Sequence, residues 1–189
     1  MRSISVKHRS TAIVDDYPFH NSFSSSILPL MEDFPPEESI GPTNVTGIHT
    51  PWQWQSDNPQ IIKLKGYLIN EIDKHGWGAS IEEYTSGMRN VASIKYKCRD
   101  LWGNIYHKGD FAHPHGHEPC QFSFAYFLKT KWYDSPLVFT ESGKRIRPKE
   151  GRFVIFPGYL YHHVPKHKHN DTRITLSGNL THIREEVPS

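Results

Sequence analysis

Two different hydrophobic periods divide the chain. Residues 57–76 read DNPQIIKLKGYLINEIDKHG, with apolar side chains at spacings of three and four, namely Ile61, Leu64, Leu68 and Ile72. This spacing places them on one face of an α-helix. Asp57 or Asn58 can cap the helix, Pro59 suits its first turn, and Gly76 can end it. The pattern therefore predicts one amphipathic helix in the first half of the chain.

After Gly76 the period changes to two. Ile94, Tyr96 and Cys98 alternate with charged residues, which is typical of a half-buried strand. Further short strands are predicted at QFSFAYFLK, PLVFT, GRFVIFP and TRITLSGNL, separated by turn-forming segments. Many short strands at this spacing favour a sandwich or jelly roll over a parallel sheet with crossovers. Residues 21–48, rich in Ser, Pro and acidic side chains, are predicted to be irregular with short ordered pieces.

The chain has 189 residues, which suits one domain with a sizeable core. We expect a single domain over residues 1–189 that is mostly β with flanking helices. Residues 1–99 are predicted to form a helix-containing support region, and residues 100–189 a jelly-roll core that carries the functional site.

Composition narrows the possible partners. The net charge is +2, which does not favour nucleic acid or an anionic membrane as a partner. The sequence has no apolar run near the roughly 20 residues that a membrane span needs, and its N-terminus lacks an apolar signal region. Two cysteines fit a reducing compartment, so we expect a cytoplasmic protein. The pattern predicts no particular oligomeric state.

Histidine is the residue type that stands out. Of the 13 histidines, 8 lie between His107 and His169. His115 and His117 are two apart, so an extended strand would direct both imidazoles to the same face. A third ligand is expected from the segment FPGYLYHHVP, which contains His162 and His163. Such a histidine set predicts a site for zinc, iron, manganese or nickel.

A polar row follows in the segment DTRITLSGNL. Arg173, Thr175, Ser177 and Asn179 alternate with Ile174, Leu176, Gly178 and Leu180. Because the row follows the second histidine pair by a turn, the two segments are predicted to be neighbours across a hairpin. An arginine beside a metal can bind a carboxylate through two N–H groups, and Thr175 would add a hydroxyl. The combination indicates a small acidic co-substrate that chelates the metal.

Four motifs in this order resemble the 2-oxoglutarate/Fe(II)-dependent oxygenases related to prolyl 4-hydroxylase. They read DLWGNIYHKGD, GDFAHPHGHEPCQFSFAYFL, GRFVIFPGYLYHHV and RITLSGN. The resemblance implies a double-stranded β-helix (jelly-roll, cupin-like) core. It implies Fe(II) as the metal, with 2-oxoglutarate and O2 as co-substrates. It also implies hydroxylation of a protein side chain such as prolyl, or of a small metabolite, with release of succinate and CO2.

The same resemblance implies the metal ligands. His115 matches the first iron ligand, and His162, rather than His163, matches the distal histidine. His117 stands where most of the superfamily has a ligating carboxylate, so the set would be three histidines. Glu118 is the alternative source of a carboxylate ligand.

Co-substrate contacts are also implied. Arg173 matches the arginine that pairs with the far carboxylate of 2-oxoglutarate, and Thr175 takes the position of a serine beside it. Tyr126 and Asn104 are predicted to contact the co-substrate, with a core role for Tyr126 and a substrate contact for Asn104 as alternatives. His113 is interpreted as a solvated loop residue, with a role beside the metal as the alternative.

Two other functions fit parts of the pattern. A cupin-like metalloenzyme would use three histidines without 2-oxoglutarate. A jelly-roll module that binds metal or ligand without catalysis would also need the histidines. Neither accounts for Arg173 as well as an oxygenase does.

Overall fold

A computed structural model describes residues 10–77 and 94–184 of the chain. These residues form two α-helices and ten strands, with one turn of 3-10 helix at Pro36–Glu38. The helices are α1 (His20–Glu32) and α2 (Pro59–Lys74). The strands are β1 (Ile13–Asp16), β2 (Ile48–His49), β3 (Ile94–Tyr106), β4 (Ala112–His115), β5 (Phe122–Lys129), β6 (Leu137–Phe139), β7 (Arg145–Ile146), β8 (Arg152–Pro157), β9 (His162–Val164) and β10 (Arg173–Arg184).

The strands form two antiparallel sheets. The larger sheet has the order β1-β8-β5-β10-β3-β2, and the smaller sheet has the order β4-β9-β6-β7. Most neighbouring strands are not consecutive along the chain, and the topology is a jelly roll, as the strand spacing predicted. β1 and β2 join the larger sheet from the N-terminal half of the chain, and the predicted boundary at residue 100 falls inside β3.

The two helices cover the outer face of the larger sheet. Apolar side chains of both helices share one buried cluster with those of β3, β5, β8 and β10. In α2 the predicted face, Ile61, Leu64, Leu68 and Ile72, is fully buried. Asn58 caps the helix by accepting a hydrogen bond from the backbone N–H of Gln60 at 2.9 Å. The predicted helix is confirmed.

Helix α1 contradicts the prediction of irregular chain over residues 21–48. Its buried residues are Phe23, Ile27 and Met31, at a spacing of four. The serines between them and Pro29 obscured this stripe in the sequence, because Ser and Pro have low helix propensity. Packing against the sheet stabilises the helix despite its composition.

Gly103 allows α1 to approach the sheet closely. A Cβ atom at this position would lie 2.4 Å from both Sδ and Cε of Met31. The backbone N–H of Gly103 also donates to the Thr50 hydroxyl at 2.8 Å. The face of β3 that carries Gly103 therefore packs against α1. The opposite face of the strand lines a cavity between the sheets.

The predicted strands correspond to β3, β5, β6, β8 and β10. Within residues 10–77 and 94–184, neither helix has the length and apolarity that crossing a membrane requires. Strands of both sheets line a cavity of about 750 Å³. This cavity contains most of the predicted site residues.

Candidate metal centre and co-substrate pocket

Three histidines converge on one side of the cavity. The metal-binding atoms that His115, His117 and His162 offer all lie within 4.8 Å of one another. His115 and His162 pair in the ladder between β4 and β9, and their ring centroids are 4.5 Å apart. His117 lies just beyond β4, in the loop that follows, rather than on the strand as predicted. Only these three residues form such a group in the described part of the chain.

Backbone carbonyls fix the orientation of two of the rings. Nδ1 of His115 lies 2.7 Å from the carbonyl oxygen of His113, and Nδ1 of His162 lies 3.0 Å from that of Leu160. A carbonyl oxygen only accepts, so each Nδ1 carries the proton and each Nε2 presents a lone pair. This arrangement is typical of metal-binding histidines. The side chain of His113 is exposed, as predicted, but the residue lies on β4 rather than in a loop, and its carbonyl orients His115.

A close backbone approach positions His117. The N–H of His117 donates to the carbonyl of Gly158 at 2.7 Å. A Cβ at Gly158 would lie 2.1 Å from the carbonyl oxygen of Cys120, so only glycine fits there. The Pro-Gly turn after β8 therefore holds the loop that carries the second histidine.

Burial keeps the three imidazoles neutral. It lowers the pKa of His117 to about 4 and that of His162 to about 3, with the neighbouring His115 adding to both effects. The pKa of His115 is also lowered, mainly by burial. Neutral imidazole is the form that binds metal, so the site is ready for a divalent cation at neutral pH without releasing protons.

His163 and Glu118 are not part of the histidine group. Alternation along β9 turns His163 away from His162, and its Nδ1 lies 3.2 Å from the hydroxyl of Thr140. Glu118 is exposed at the mouth of the cavity. Its carboxylate is absent from the three-residue ligand group found among the described residues. The donor set is thus three imidazoles, which suits Fe(II) as well as Zn, Mn or Ni.

Arg173 lies in the same cavity and is nearly completely buried, with 1% of its surface exposed. Its guanidinium carbon is 4.7 Å from the ring centroid of Tyr106 and 5.5 Å from that of Phe127. Nε and Nη1 have no hydrogen-bond partner among the described residues. Burial lowers the pKa of Arg173, whereas Tyr106 and Asp134 act in the opposite direction. A buried cation with two open N–H groups is a ready site for a carboxylate.

The sequence predicted that Arg173 and His162 are neighbours across a hairpin, and this prediction is wrong. β9 belongs to the smaller sheet and β10 to the larger one, so the two residues approach the cavity from different sheets. This arrangement leaves space between them for a ligand that contacts both.

Thr175 and Asn104 face each other in the ladder between β10 and β3. Both line the cavity and are almost completely buried. Nδ2 of Asn104 donates to the hydroxyl of Ser177 at 3.2 Å, and Oδ1 has no hydrogen-bond partner among the described residues. Thr175 is one step along the strand face from Arg173, as the alternation predicted.

Tyr126 is placed on the wrong side of the sheet for its predicted role. Its ring lies in the helix-side core against Tyr17 and Phe23, and its hydroxyl is 2.6 Å from Nδ1 of His20. Burial raises the pKa of this hydroxyl far above its ordinary value. The placement contradicts the predicted contact of Tyr126 with 2-oxoglutarate.

Tyr106, rather than Tyr126, lies in the cavity beside Arg173. It pairs with Arg173 in the ladder and lines the cavity. With Ala112 and Val164 it forms a small apolar cluster beside the guanidinium. Continuing the period of two from Trp102 and Asn104 would have found it.

Comparison with known proteins gives a family match over part of the chain and a shared fold. Residues 138–179 match the model of the family described as "Putative 2OG-Fe(II) oxygenase". The matched segment contains His162, Arg173 and Thr175. The resemblance to the 2-oxoglutarate/Fe(II) oxygenases is confirmed. No curated protein matches the chain in sequence.

Solved structures of such oxygenases share the fold. A viral collagen prolyl hydroxylase from Paramecium bursaria Chlorella virus-1, in complex with 2-oxoglutarate, is similar with a TM-score of 0.65, at 12% identity over 89% of this chain and 94% of that chain. A prolyl-4-hydroxylase from Pseudomonas putida has a TM-score of 0.61, at 12% identity over 93% of each chain. HygX from Streptomyces hygroscopicus, with nickel and 2-oxoglutarate bound, has a TM-score of 0.63, at 9% identity over 91% of this chain and 83% of that chain.

The double-stranded β-helix fold is therefore confirmed, and the family match supports an oxygenase reaction. The three histidines fit Fe(II), and the open N–H groups of Arg173 fit a dicarboxylate. Both agree with the expected cofactors of an oxygenase, which are Fe(II), 2-oxoglutarate and O2.

Proposed function

We propose that the protein is an Fe(II)- and 2-oxoglutarate-dependent hydroxylase with a peptide side chain or a small molecule as substrate. The reaction converts a C–H bond, O2 and 2-oxoglutarate into C–OH, succinate and CO2. One oxygen atom enters the product and the other enters succinate. The reduction of O2 takes four electrons, of which the substrate C–H bond supplies two and 2-oxoglutarate supplies two. The observation that carries the proposal is the buried guanidinium of Arg173 in the cavity of the three histidines, whose Nε and Nη1 have no hydrogen-bond partner among the described residues.

The proposed roles of the residues follow from their chemistry. His115, His117 and His162 would hold the metal through neutral nitrogens. Bound Fe(II) supplies the activation of O2, which no side chain of the protein can perform. Because the ligands are neutral, the cation keeps its charge, and a carboxylate of 2-oxoglutarate would offset part of that charge.

Arg173 would orient 2-oxoglutarate at the far end of the cavity. Its Nε and Nη1 groups donate to the distal carboxylate, and Thr175 adds a hydroxyl beside them. Tyr106, Ala112 and Val164 provide an apolar wall that suits the methylene groups of the co-substrate. Asn104 lies one step nearer to the mouth and is proposed to face the boundary between co-substrate and substrate.

The structural relatives indicate the range of substrates. One is a prolyl hydroxylase from Trichoplax adhaerens in complex with a peptide fragment of a hypoxia-inducible factor, and another is HygX with hygromycin B bound. These ligands belong to those proteins, but they show that the fold accepts both a peptide and a small molecule. We therefore propose that the substrate of this protein belongs to one of these classes.

Anaerobic addition of 2-oxoglutarate to the Fe(II)-loaded protein tests the proposal. We expect a visible charge-transfer band, followed by succinate formation after air is admitted with a panel of metabolites and peptides. The variant Arg173→Ala should lose the band and still bind Fe(II). Fe(II) binding without any response to 2-oxoglutarate would contradict the proposal and favour a three-histidine cupin enzyme. A band without succinate from any substrate would favour a binding module.

A further inference from the structure

The cavity has an outer half beyond the proposed co-substrate pocket. Along the β3–β10 ladder, Tyr106 pairs with Arg173 and Asn104 with Thr175 at the inner end, and the pairs Trp102–Ser177 and Asp100–Asn179 follow. Successive pairs on one face are about 7 Å apart. A five-carbon diacid is roughly 6 Å long from ordinary bond lengths, so one held at Arg173 leaves the two outer pairs for another ligand.

A carboxylate is held in a fixed orientation in this outer half. Ser123 donates from its hydroxyl to Oδ1 of Asn179 at 2.9 Å, and Nδ2 of Asn179 donates to Oδ2 of Asp100 at 3.2 Å. Ser123 and Asn179 are both buried. The relay of hydrogen bonds therefore ends on the negatively charged side chain of Asp100, which lines the cavity.

The neighbouring cation only partly offsets this charge. Nε of Arg99 lies 3.6 Å from Oδ2 of Asp100, but the Arg99 side chain is 55% exposed against 19% for Asp100. Because the Arg99 side chain is mostly exposed, solvent screens this pair. Oδ1 of Asp100 also accepts a hydrogen bond from Nε2 of Gln53 at 3.4 Å, which leaves the carboxylate negatively charged. Glu118, also exposed and lining the cavity, adds a second negative charge at the mouth.

Two tryptophans form the wall next to Asp100. The rings of Trp52 and Trp102 meet edge to face with centroids 4.8 Å apart, and Trp52 remains 45% exposed while Trp102 is buried. His49 stacks on Trp102 with centroids 5.6 Å apart. Nδ1 of His49 lies 2.6 Å from the carbonyl oxygen of Thr50, so it carries the proton and leaves Nε2 as an acceptor. The wall thus presents the half-exposed ring of Trp52 to the cavity, and His49 and Trp102 support it from behind.

Asn104, one step from Trp102 along the ladder, has a carbonyl oxygen that can accept a further hydrogen bond. Asn104 is 2% exposed, and its Oδ1 has no partner among the described residues, although its Nδ2 donates to Ser177. At neutral pH 2-oxoglutarate has acceptors and no donors, so it cannot satisfy this oxygen. An N–H group elsewhere on the substrate can do so, because Asn104 is four residues, or roughly 13 Å, from Asp100 along β3.

We propose that the outer half of the cavity binds a cationic nitrogen group of the substrate, an alkylammonium or a guanidinium, between the Asp100 carboxylate and the face of Trp52. Cations are attracted to tryptophan faces and to carboxylates alike, and an ammonium or guanidinium group donates N–H hydrogen bonds to a carboxylate. This inference rests on the proposed function in one respect, since it assigns the cationic group to the molecule that is hydroxylated.

Matched probes test the charge preference. N-acetyl-lysine methylamide and N-acetyl-norleucine methylamide share a side-chain length of four carbons and differ in the terminal ammonium group. Titration calorimetry of both against the metal-loaded chain with 2-oxoglutarate should show the lysine probe binding about tenfold more tightly. Equal affinity of the two probes, or binding of neither, would overturn the proposal.

Variants locate the binding. Trp52→Ala and Asp100→Asn should each weaken the lysine probe by about tenfold. Arg99→Gln should strengthen it, because a like charge is removed. Trp132→Ala is the matched control, since Trp132 is 81% exposed and does not line the cavity. An unchanged affinity in Trp52→Ala, with the thermal midpoint unaltered, would place the probe elsewhere and refute the assignment.

The two proposals fail in different ways. If the lysine probe binds with the expected charge preference and 2-oxoglutarate does not bind, the outer site stands and the hydroxylase proposal fails. If succinate forms with neutral substrates and Asp100→Asn has no effect on any of them, the hydroxylase proposal stands and the cationic site fails.

Discussion

His115 lies directly opposite His162 in the antiparallel ladder between β4 and β9, with ring centroids 4.5 Å apart. Residues that pair in a ladder have neighbouring side chains on the same face. Two of the three metal-binding nitrogens are therefore set by strand register, and His117 adds the third from the adjoining loop. Backbone pairing, rather than a flexible loop, brings the first and the distal histidine together.

Replacing either member of the second histidine pair should separate their roles. His162→Ala should reduce Mn(II) affinity by at least about 100-fold, because two imidazoles hold a divalent cation much less tightly than three. His163→Ala should leave the affinity nearly unchanged, since this side chain contacts Thr140 outside the site. Titration calorimetry with Mn(II) measures both. The opposite result would mean that β9 is shifted by one residue.

The identity of the third ligand can be tested in the same way. His117→Ala should weaken Mn(II) binding strongly, whereas Glu118→Gln should leave it almost unaltered, because the Glu118 carboxylate is exposed and outside the histidine group. His117→Asp should retain binding, since it restores the two-histidine, one-carboxylate set of non-haem iron sites. A strong loss in Glu118→Gln would assign the carboxylate as a ligand.

Arg173 should lower the stability of the fold and should be necessary for the binding of 2-oxoglutarate. Its buried Nε and Nη1 lack partners among the described residues, and an unpaired buried cation is unfavourable. Arg173→Met, similar in length and apolar, should match or exceed the wild-type thermal midpoint and lose most of the 2-oxoglutarate affinity. Calorimetry on the Mn(II)-loaded protein checks the second effect. A variant that binds 2-oxoglutarate normally would exclude the clamp.

Two glycines should respond to alanine in opposite directions. Gly103→Ala should destabilise the fold by about 1–3 kcal/mol, because its Cβ would meet Met31 at 2.4 Å. Gly66→Ala should stabilise it by up to about 1 kcal/mol, since the new Cβ has open space and alanine favours the interior of α2. Urea denaturation measures both. Combining Gly103→Ala with Met31→Ala should relieve the clash; an additive loss would point to strain elsewhere.

The sequence predicted the polar row of β10 because Arg173, Thr175, Ser177 and Asn179 alternate with apolar residues. It could not place Tyr126, since β5 is buried on both faces and has no polar alternation to tell the cavity face from the helix face. Helix α1 was missed because its apolar stripe of three residues is carried by a serine-rich segment.

The sequence alone also could not predict that the Asp100 carboxylate is held in a fixed orientation in the outer half of the cavity. Asp100 and Ser123 are far apart along the chain, and only the pairing of β10 with both β3 and β5 connects them through Asn179. Histidine spacing predicts ligands, but such relays depend on register between strands, which hydrophobic patterns do not give.

Because β10 has one face in the core and one face in the cavity, an error in its register during folding would affect both stability and the site. The strand pairs with β3 on one side and β5 on the other, and its apolar residues Ile174, Leu176 and Leu180 are fully buried in the helix-side core. A slip of one residue would turn these side chains into the cavity and bury the arginine in the core. A misregistered chain would therefore lose its stability together with its clamp. Quality control that removes unstable chains would in this way also remove those that cannot bind a co-substrate.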